Sequence, residues 1–543
     1  MKILTNSQGK PLINQQGKAF QAPSGGGGTE IKDVNFYDYD GTLLHTYTAQ
    51  EFAALSAHPA NPTHEGLTAQ GWNWTLADAK AFVAAAGKLH IGQTYTTSDG
   101  KTRIYITIDQ SEWMSPTLYF SASAAGNTTI DWGDNSPTET SVGGENALTH
   151  TYAAQGSYVI TLAVASGTTQ LGGAAYAFPI ISGSNEGRTT YKNMVKKIEI
   201  GSSVSLRNYF AYGLSSLSTI TIPTTVTSFS SNTFTICSNL LALIIPSSIT
   251  SSTSSMCDYC ASLSVVCFPR EITAIAAGFR NCASLKSIVI PDGVSTNSNN
   301  AFSYSGLKEV TVGGIETVNN IFTDCKVLEI AHLAEGIKTM GGVFAGCSSL
   351  RSIRLPNSLT ALGNTFNGCA SLQSIEIPNK VSTIGGSTFY QCYSLGSLTI
   401  PDSVTDLSNA LNNCPNLKSI HLPADLTILG NSFFDGCNSV QSLTIPSGVT
   451  SIGNYALRSC NSLSSLTIPD KVTSIGTGAI SGNNLKSLYM TSSTPPALAA
   501  SGSISGASDL VIYVPAGSLS AYQTATNWSS HASKMQEYTP QTS

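Results

Sequence analysis

The chain repeats itself. CSSLRSIRLPNSLTALGNTFNG, Cys347 to Gly368, is followed without a break by CASLQSIEIPNKVSTIGGSTFYQ, Cys369 to Gln391. The shared skeleton is C-x-x-L-x-x-I-x-I-P-x-x-V-x-x-I-G, then a Phe and a return to Cys, and it recurs every 21 to 23 residues from about 194 to 492. Pro223, Pro246, Pro269, Pro291, Pro356, Pro378, Pro401, Pro423, Pro446 and Pro469 mark it, with Gly201, Gly313, Ala334 and Thr491 in the same slot of weaker units. A unit this short cannot bury its own apolar positions, so the fold must come from stacking, each coil covering the next. With strand neighbours about 4.8 Å apart, about fourteen coils make an elongated body on the order of 65 Å long.

The L-x-x-I-x-I core is the strand pattern of leucine-rich repeats. With the recurring Pro, Ile-Gly and Cys, the units resemble the BspA-like class of that family, found in bacterial surface proteins and in proteins of gut bacteriophages. The resemblance implies a mainly β chain built on a leucine-rich-repeat solenoid over residues 183–492. Residues 493–543, with VIYVPAGSLSAYQTATNWSSHASKMQEY from Val511 to Tyr538, resemble the terminal cap of such arrays. A cap is required physically, since the last coil otherwise exposes its core and a strand edge.

Three segments precede the array. Residues 1–28 repeat Asn-x-Gln-Gly-Lys and end in PSGGGG, which reads as an attachment segment with a flexible linker. Residues 29–100 read as a small α+β module, in which Thr48 with Glu51 and Thr75 with Asp78 cap helix starts and Gly87 ends the second helix. Its opening VNFYDYDGTLL, Val34 to Leu44, resembles the haloacid-dehalogenase phosphatases, where Asp38 would be the nucleophile and Asp40 the general acid. That catalyst needs a doubly wound sheet and later acidic motifs, for which the module leaves no room, so a strand and turn built on Asp40-Gly41 is the expectation. Residues 101–182 alternate apolar and polar residues in short runs, predicting a β-sandwich. Trp132, Gly133, Asp134, His150, Thr151, Tyr152, Gly156 and Tyr158 make it resemble the immunoglobulin-like PKD family. There such residues pack the sandwich and set its turns, which implies a spacer domain and a structural His150.

Of twelve cysteines, ten (Cys237, Cys260, Cys282, Cys325, Cys347, Cys369, Cys392, Cys414, Cys437, Cys460) fall in one repeat position. Leu214 and Tyr304 take that slot elsewhere, so it reads as buried and apolar, with free thiols rather than disulfides. Cys257 falls in the slot of Phe234, Phe279, Phe322, Phe344 and Phe366. A hydroxyl in an apolar slot lacks a partner, so Cys369→Ser is expected to cost about 1 to 3 kcal/mol. Strand alternation turns Cys267 outward, making it the expected accessible thiol. Neither a metal nor a cofactor is expected.

The same alternation lists what the strand face displays: Thr221, Ile244, Cys267, Val289, Thr311, His332, Arg354, Glu376, Thr399, His421, Thr444, Thr467 and Tyr489. Two residues earlier in each coil runs a row of hydroxyls from Ser352 through Ser374, Ser397, Ser419, Ser442 and Ser465 to Ser487. Thr311, His332, Arg354, Glu376, Thr399, His421, Thr444, Thr467 and Tyr489 are the candidate binding face, with His332, Arg354 and Glu376 expected to meet side by side. An open sheet supplies neither nucleophile nor oxyanion pocket, so display points to binding rather than catalysis.

Only 11% of residues are charged and the net charge is -5, which leaves no basic field for nucleic acid. No apolar run reaches the length that spans a bilayer. MKILTNSQGK holds too short an apolar run for an export signal. The expectation is a non-enzymatic recognition protein carried on a bacteriophage tail, attached to a virion protein through its N-terminus and contacting a cell-surface protein or glycan. The alternative is a BspA-like adhesin on a bacterial surface that binds host matrix protein.

Overall fold

The computed structural model describes residues 32–173, 179–182, 191–297, 299–405, 407 and 409–539; the attachment segment of residues 1–28 lies outside the described residues. The protein is mainly β and winds into a solenoid of about 15 turns. The turns line up two series of short parallel ladders, each interrupted along the array. The first is the Ile-x-Ile strand, where Ser287–Ile290, Glu309–Val312 and Ile330–Leu333 lie side by side with Val289, Thr311 and His332 in register. The second follows the Pro and carries the Ile-Gly, as in Thr317–Asn319, Thr339–Gly341 and Ala361–Gly363.

Inside the solenoid Phe279, Phe302, Phe322, Phe344, Phe366 and Phe389 form a spine, successive ring centroids 5.2 to 6.1 Å apart. All twelve cysteines are free and buried. Each ladder thiol points at a main-chain carbonyl of the preceding turn: Cys347 Sγ donates to Phe322 O at 3.3 Å, Cys369 to Phe344 O at 3.2 Å and Cys392 to Phe366 O at 3.3 Å. The slot is therefore an apolar pocket with one acceptor at its base, not the acceptor-free site expected from its apolar occupants.

Tyr304 does not share that slot. The residue before each slot turns the chain with a positive φ, as at Asn281 (60°), Gly346 (76°) and Asn413 (66°). Tyr304 is that turn residue, at φ 60° and 57% exposed, and Ser305 beside it is the one that enters the core.

The module has the elements β1 (Val34–Tyr37), β2 (Leu43–Tyr47), α1 (Ala49–Ala53), β3 (Leu67–Trp72), α2 (Leu76–Ala86) and β4 (Leu89–Thr97). Thr48 and Glu51 form a capping box on α1, Thr75 caps α2, and Gly87 ends it at φ 89°. The sheet order is β2-β1-β4-β3, with only β1 and β4 parallel. Asp38 to Thr42 is the hairpin turn joining β1 to β2, closed by hydrogen bonds from Gly41 N to Asp38 O and from Asp38 N to Thr42 O. Asp40 accepts the Thr42 N–H, and Gly41, at φ 88°, takes the conformation a side chain resists. The Asp38 carboxylate is buried and held by His64 Nε2 at 2.7 Å and by the Tyr39 N–H at 2.9 Å. A hairpin partner beside β1 makes this an antiparallel-edged sheet, not a doubly wound one.

Next come β5 (Thr102–Ile108), β6 (Thr117–Ala122), β7 (Thr128–Asp131), β8 (Glu139–Thr140), β9 (Gly144–Thr149), β10 (Gly156–Val164), β11 (Thr169–Leu171) and β12 (Ile181–Ser182). They fold into two sheets, β5-β10-β7-β8 and β12-β6-β11, with β9 added to β6. Trp132 is buried between them, its carbonyl accepting the Tyr152 hydroxyl. The His150 ring lies 4.9 Å from that of Trp132 at 12° while its Nε2 meets Asp134 at 2.8 Å. These contacts pack the sandwich, as expected for His150.

The sandwich is not a separate spacer. The first solenoid strand, β13 (Val195–Glu199), pairs with β5, and β15 (Thr219–Thr221) follows β13 in the same sheet. On the other side β14 (Val204–Leu206) pairs with β11. Both ladders of the solenoid thus start on sandwich strands, which covers the first coil's edge, and one apolar core runs from Ile104 to Met535. At the far end Val511–Pro515 and Met535–Tyr538 extend the face ladder. The Trp528 Nε1–H donates to Pro496 O and the Tyr522 hydroxyl to Ser492 O beneath them.

Candidate functional site

The strand face divides into a covered half and a free half. Over the first coils its outward positions Thr221, Ile244, Cys267, Val289 and Thr311 are all buried, because the module sits on them. Gly92 of β4 comes so close that a Cβ there would lie 2.4 Å from Ile244 Cγ2 and 3.1 Å from Cys267 Cβ. Tyr37, Ala242, Ile244, Val265 and Cys267 form one apolar cluster. Val289 and Ala334 join the module's own core of Phe36, Phe82 and Leu89.

Polar anchors surround this contact. Asn73 Nδ2 donates to Ile245 O and Cys267 O, each at 3.2 Å, and Trp74 Nε1 to Phe268 O at 2.8 Å. The Thr224 N–H donates to Gln70 Oε1. Lys88 Nζ is 2.5 Å from Glu309, which also meets His332 Nε2 at 2.9 Å. The His332 ring, and then the Lys88 ammonium, hold the Glu309 carboxyl down at about 2. His90, buried at the same contact, is pushed down to about 4 by loss of hydration.

Two sequence expectations are corrected here. Cys267 does point outward from its strand, but it is 0% exposed under the module, and burial pushes its thiol pKa well up. Thr311 is 1% exposed and belongs to the covered half.

The free half begins at His332. Arg354, Glu376, Thr399, His421, Thr444 and Thr467 are exposed, and Tyr489 is half-buried. His332 does not join Arg354; it turns back to Glu309, which reaches it diagonally across the parallel pair. Arg354 and Glu376 are main-chain bridge partners, with no ion pair between their side chains among the described residues. Together with Ser352, Ser374, Asn357 and the edges of Ile353, Ile375 and Pro378 they line an open groove of about 460 Å³. The groove offers a cation, an anion, two hydroxyls and an amide over an apolar floor, which suits a polar ligand held by short-range contacts. Residues 201–491 hold fourteen basic and fourteen acidic residues, so no long-range field adds to them.

Sequence reasoning missed Tyr513 and Tyr538, which prolong the face beyond Tyr489. The Tyr489 and Tyr513 rings stack at 4.6 Å. The alternation of VIYV from Val511 to Val514 was the available signal. It also missed the covering of the first half, although apolar Ile244, Cys267 and Val289 in a row of Ser, Thr and charge mark a surface made to be buried.

Among solved structures, a leucine-rich repeat protein from Bacteroides ovatus is similar at 21% identity and TM-score 0.47, over 66% of this chain and 97% of that one. A leucine-rich cell surface protein from Faecalibacterium prausnitzii is similar at 23% identity and TM-score 0.28, over 52% and 79%. A leucine-rich repeat protein from Eubacterium ventriosum is similar at 16% identity and TM-score 0.31, over 60% and 92%. No curated protein matches the sequence. The family described as BspA type leucine rich repeat region matches residues 187–278, 276–365, 315–411 and 383–495. These spans together take in more than half of the sequence, and the chain belongs to the BspA type leucine-rich repeat family.

Proposed function

We propose that the protein is a non-enzymatic recognition protein that contacts a cell-surface protein or glycan through the free half of its strand face. The observation behind this reading is the contrast along one ladder, where Ile244, Cys267 and Val289 lie under the module flanked by Thr221 and Thr311, and an unbroken run of polar positions stays open from His332 onward. Membership in a repeat family built for extended binding surfaces supports it.

For the setting we propose a bacteriophage tail, held to the virion through the N-terminal segment; the second reading is a bacterial surface adhesin. The resemblance of the repeats to proteins of both kinds supports either. Fluorescently labelled full chain, incubated with a panel of bacterial and animal cells, tests the function. Binding to some of them that falls in Arg354→Glu and Thr399→Lys is expected. Adhesion indifferent to both substitutions would overturn the face reading. Immunogold labelling of virions and cell envelopes decides the setting, since gold on envelopes and none on tails would leave the adhesin.

A further inference from the structure

Beyond the groove the free face loses formal charge from its two outward rows. On five consecutive coils from Ser397 to Tyr489 its two rows hold five Ser, three Thr, His421 and Tyr489, with no Asp, Glu, Lys or Arg. Thr399, Thr444 and Thr467 are exposed. At the C-terminal end this lattice runs into aromatic rings. Tyr489 and Tyr513 are register partners on parallel strands and stack with their planes 10° apart. Tyr538 stands nearly perpendicular to both, at 5.5 and 6.3 Å, and its hydroxyl donates to Met490 O. The three rings are only partly buried and hold one another in place, so little freedom is left to lose on binding.

These features select a ligand. Two rows without charge, with only the exposed Lys418 and Lys486 beside them, give a charged polymer no continuous line of partners. A protein partner is usually anchored by Trp, Tyr or Arg near the centre of the contact, with Ser and Thr seldom among the anchors; here the Tyr cluster stands at one end of a lattice of Ser and Thr. A sugar ring carries hydroxyls around its rim and C–H groups on its faces. The rim exchanges hydrogen bonds with Ser and Thr, each both donor and acceptor, and the C–H face meets the electron-rich face of an aromatic ring.

We propose that the face from Ser397 to Tyr513 is a binding site for a neutral glycan chain, lying along the coils with one sugar against the Tyr489–Tyr513 stack. This deepens the recognition reading above and rests on it.

The test uses the full chain on an array of neutral and acidic oligosaccharides, with Tyr489→Ala, Thr444→Glu and Thr467→Glu as variants. The two Thr positions are exposed, so the Glu variants leave the core intact, which circular dichroism verifies. Binding of neutral oligosaccharides is expected, weakened about tenfold or more by each variant, as for loss of a central contact. Selective binding of acidic glycans, or neutral binding untouched by all three variants, overturns the proposal. If the chain binds no glycan yet still adheres to periodate-treated cells, and Arg354→Glu abolishes that adhesion, the glycan assignment is wrong and the recognition face stands. Adhesion that survives every face variant refutes both.

Discussion

Replacing Cys369 by Ser and, separately, by Ala separates two accounts of the thiol ladder. Ala removes a buried sulfur, about a methylene's worth of burial at roughly 0.8 kcal/mol plus a small cavity. It also removes the S–H donated to Phe344 O. That carbonyl is not orphaned, because it keeps the Cys347 N–H at 3.0 Å, so Ala should cost about 1 to 2 kcal/mol. Ser loses the same sulfur but brings a hydroxyl whose burial costs about 1 to 3 kcal/mol if unpartnered. Here it has an acceptor already in place, whose bond returns about 1 kcal/mol. Ser305, 5% exposed and with its Oγ 3.4 Å from Cys325 Sγ, shows the slot holding a hydroxyl. Ser and Ala at 369 should therefore be within roughly 0.5 kcal/mol of each other, within the spread of such bond energies. Urea titration of both variants, compared at equal m-values, measures the difference. Ser falling more than about 1 kcal/mol below Ala would mean that the hydroxyl finds no partner, and the acceptor account would be wrong.

Four further outcomes follow from the same geometry. No thiol of the native protein should react quickly with a thiol reagent, whereas Gly92→Leu, which drives a side chain into Ile244, should undock the module and make Cys267 the fast site; a fast site in wild type would contradict the covering. Ile236 stands at φ 62° and 40% exposed as a β-branched residue in the turn slot that Gly or Asn fills in several other coils, so Ile236→Asn should raise the urea midpoint by an amount worth about 1 kcal/mol of relieved strain. His90 has its folded pKa lowered to about 4, so the undocked state takes up the proton first and stability should fall as pH drops from about 6.5 toward 4; His90→Gln should flatten urea midpoints over that window. Glu309, held at about 2, contributes stability that is complete above its ordinary value near 4.5 and lost as pH falls toward 2; Glu309→Gln should flatten that lower window.

The parts of the fold that were legible are those whose signal repeats. Ten Cys and the Phe spine fix the register many times over, so one face list served for every coil, and Arg354, Glu376, Thr399 and Thr467 stand where alternation puts them. What failed depended on contacts between distant segments. Nothing local ties Gly92 to Ile244, so Thr311 and Cys267 were assigned to an open surface that another part of the chain occupies. Tyr304 slipped by one residue because its coil has Ser in place of Cys. His332 was matched with Arg354 by adjacency, while its carboxylate partner lay diagonally on the coil before. At Asp38 the local signal sufficed, since Asp40-Gly41 sets the hairpin turn between β1 and β2 that the sequence predicts.

The sharing of strands between sandwich and solenoid also has a mechanical side. Two bodies on a linker swivel, and the direction of one says nothing about the other. Here β5 meets β13 on one side and β11 meets β14 on the other, so rotating the solenoid against the sandwich would break hydrogen bonds in two sheets at once. The pair is a lever arm without a wrist. Whatever the sandwich is fixed to sets the bearing of the free face, and a pull on a bound ligand reaches that anchorage as torque.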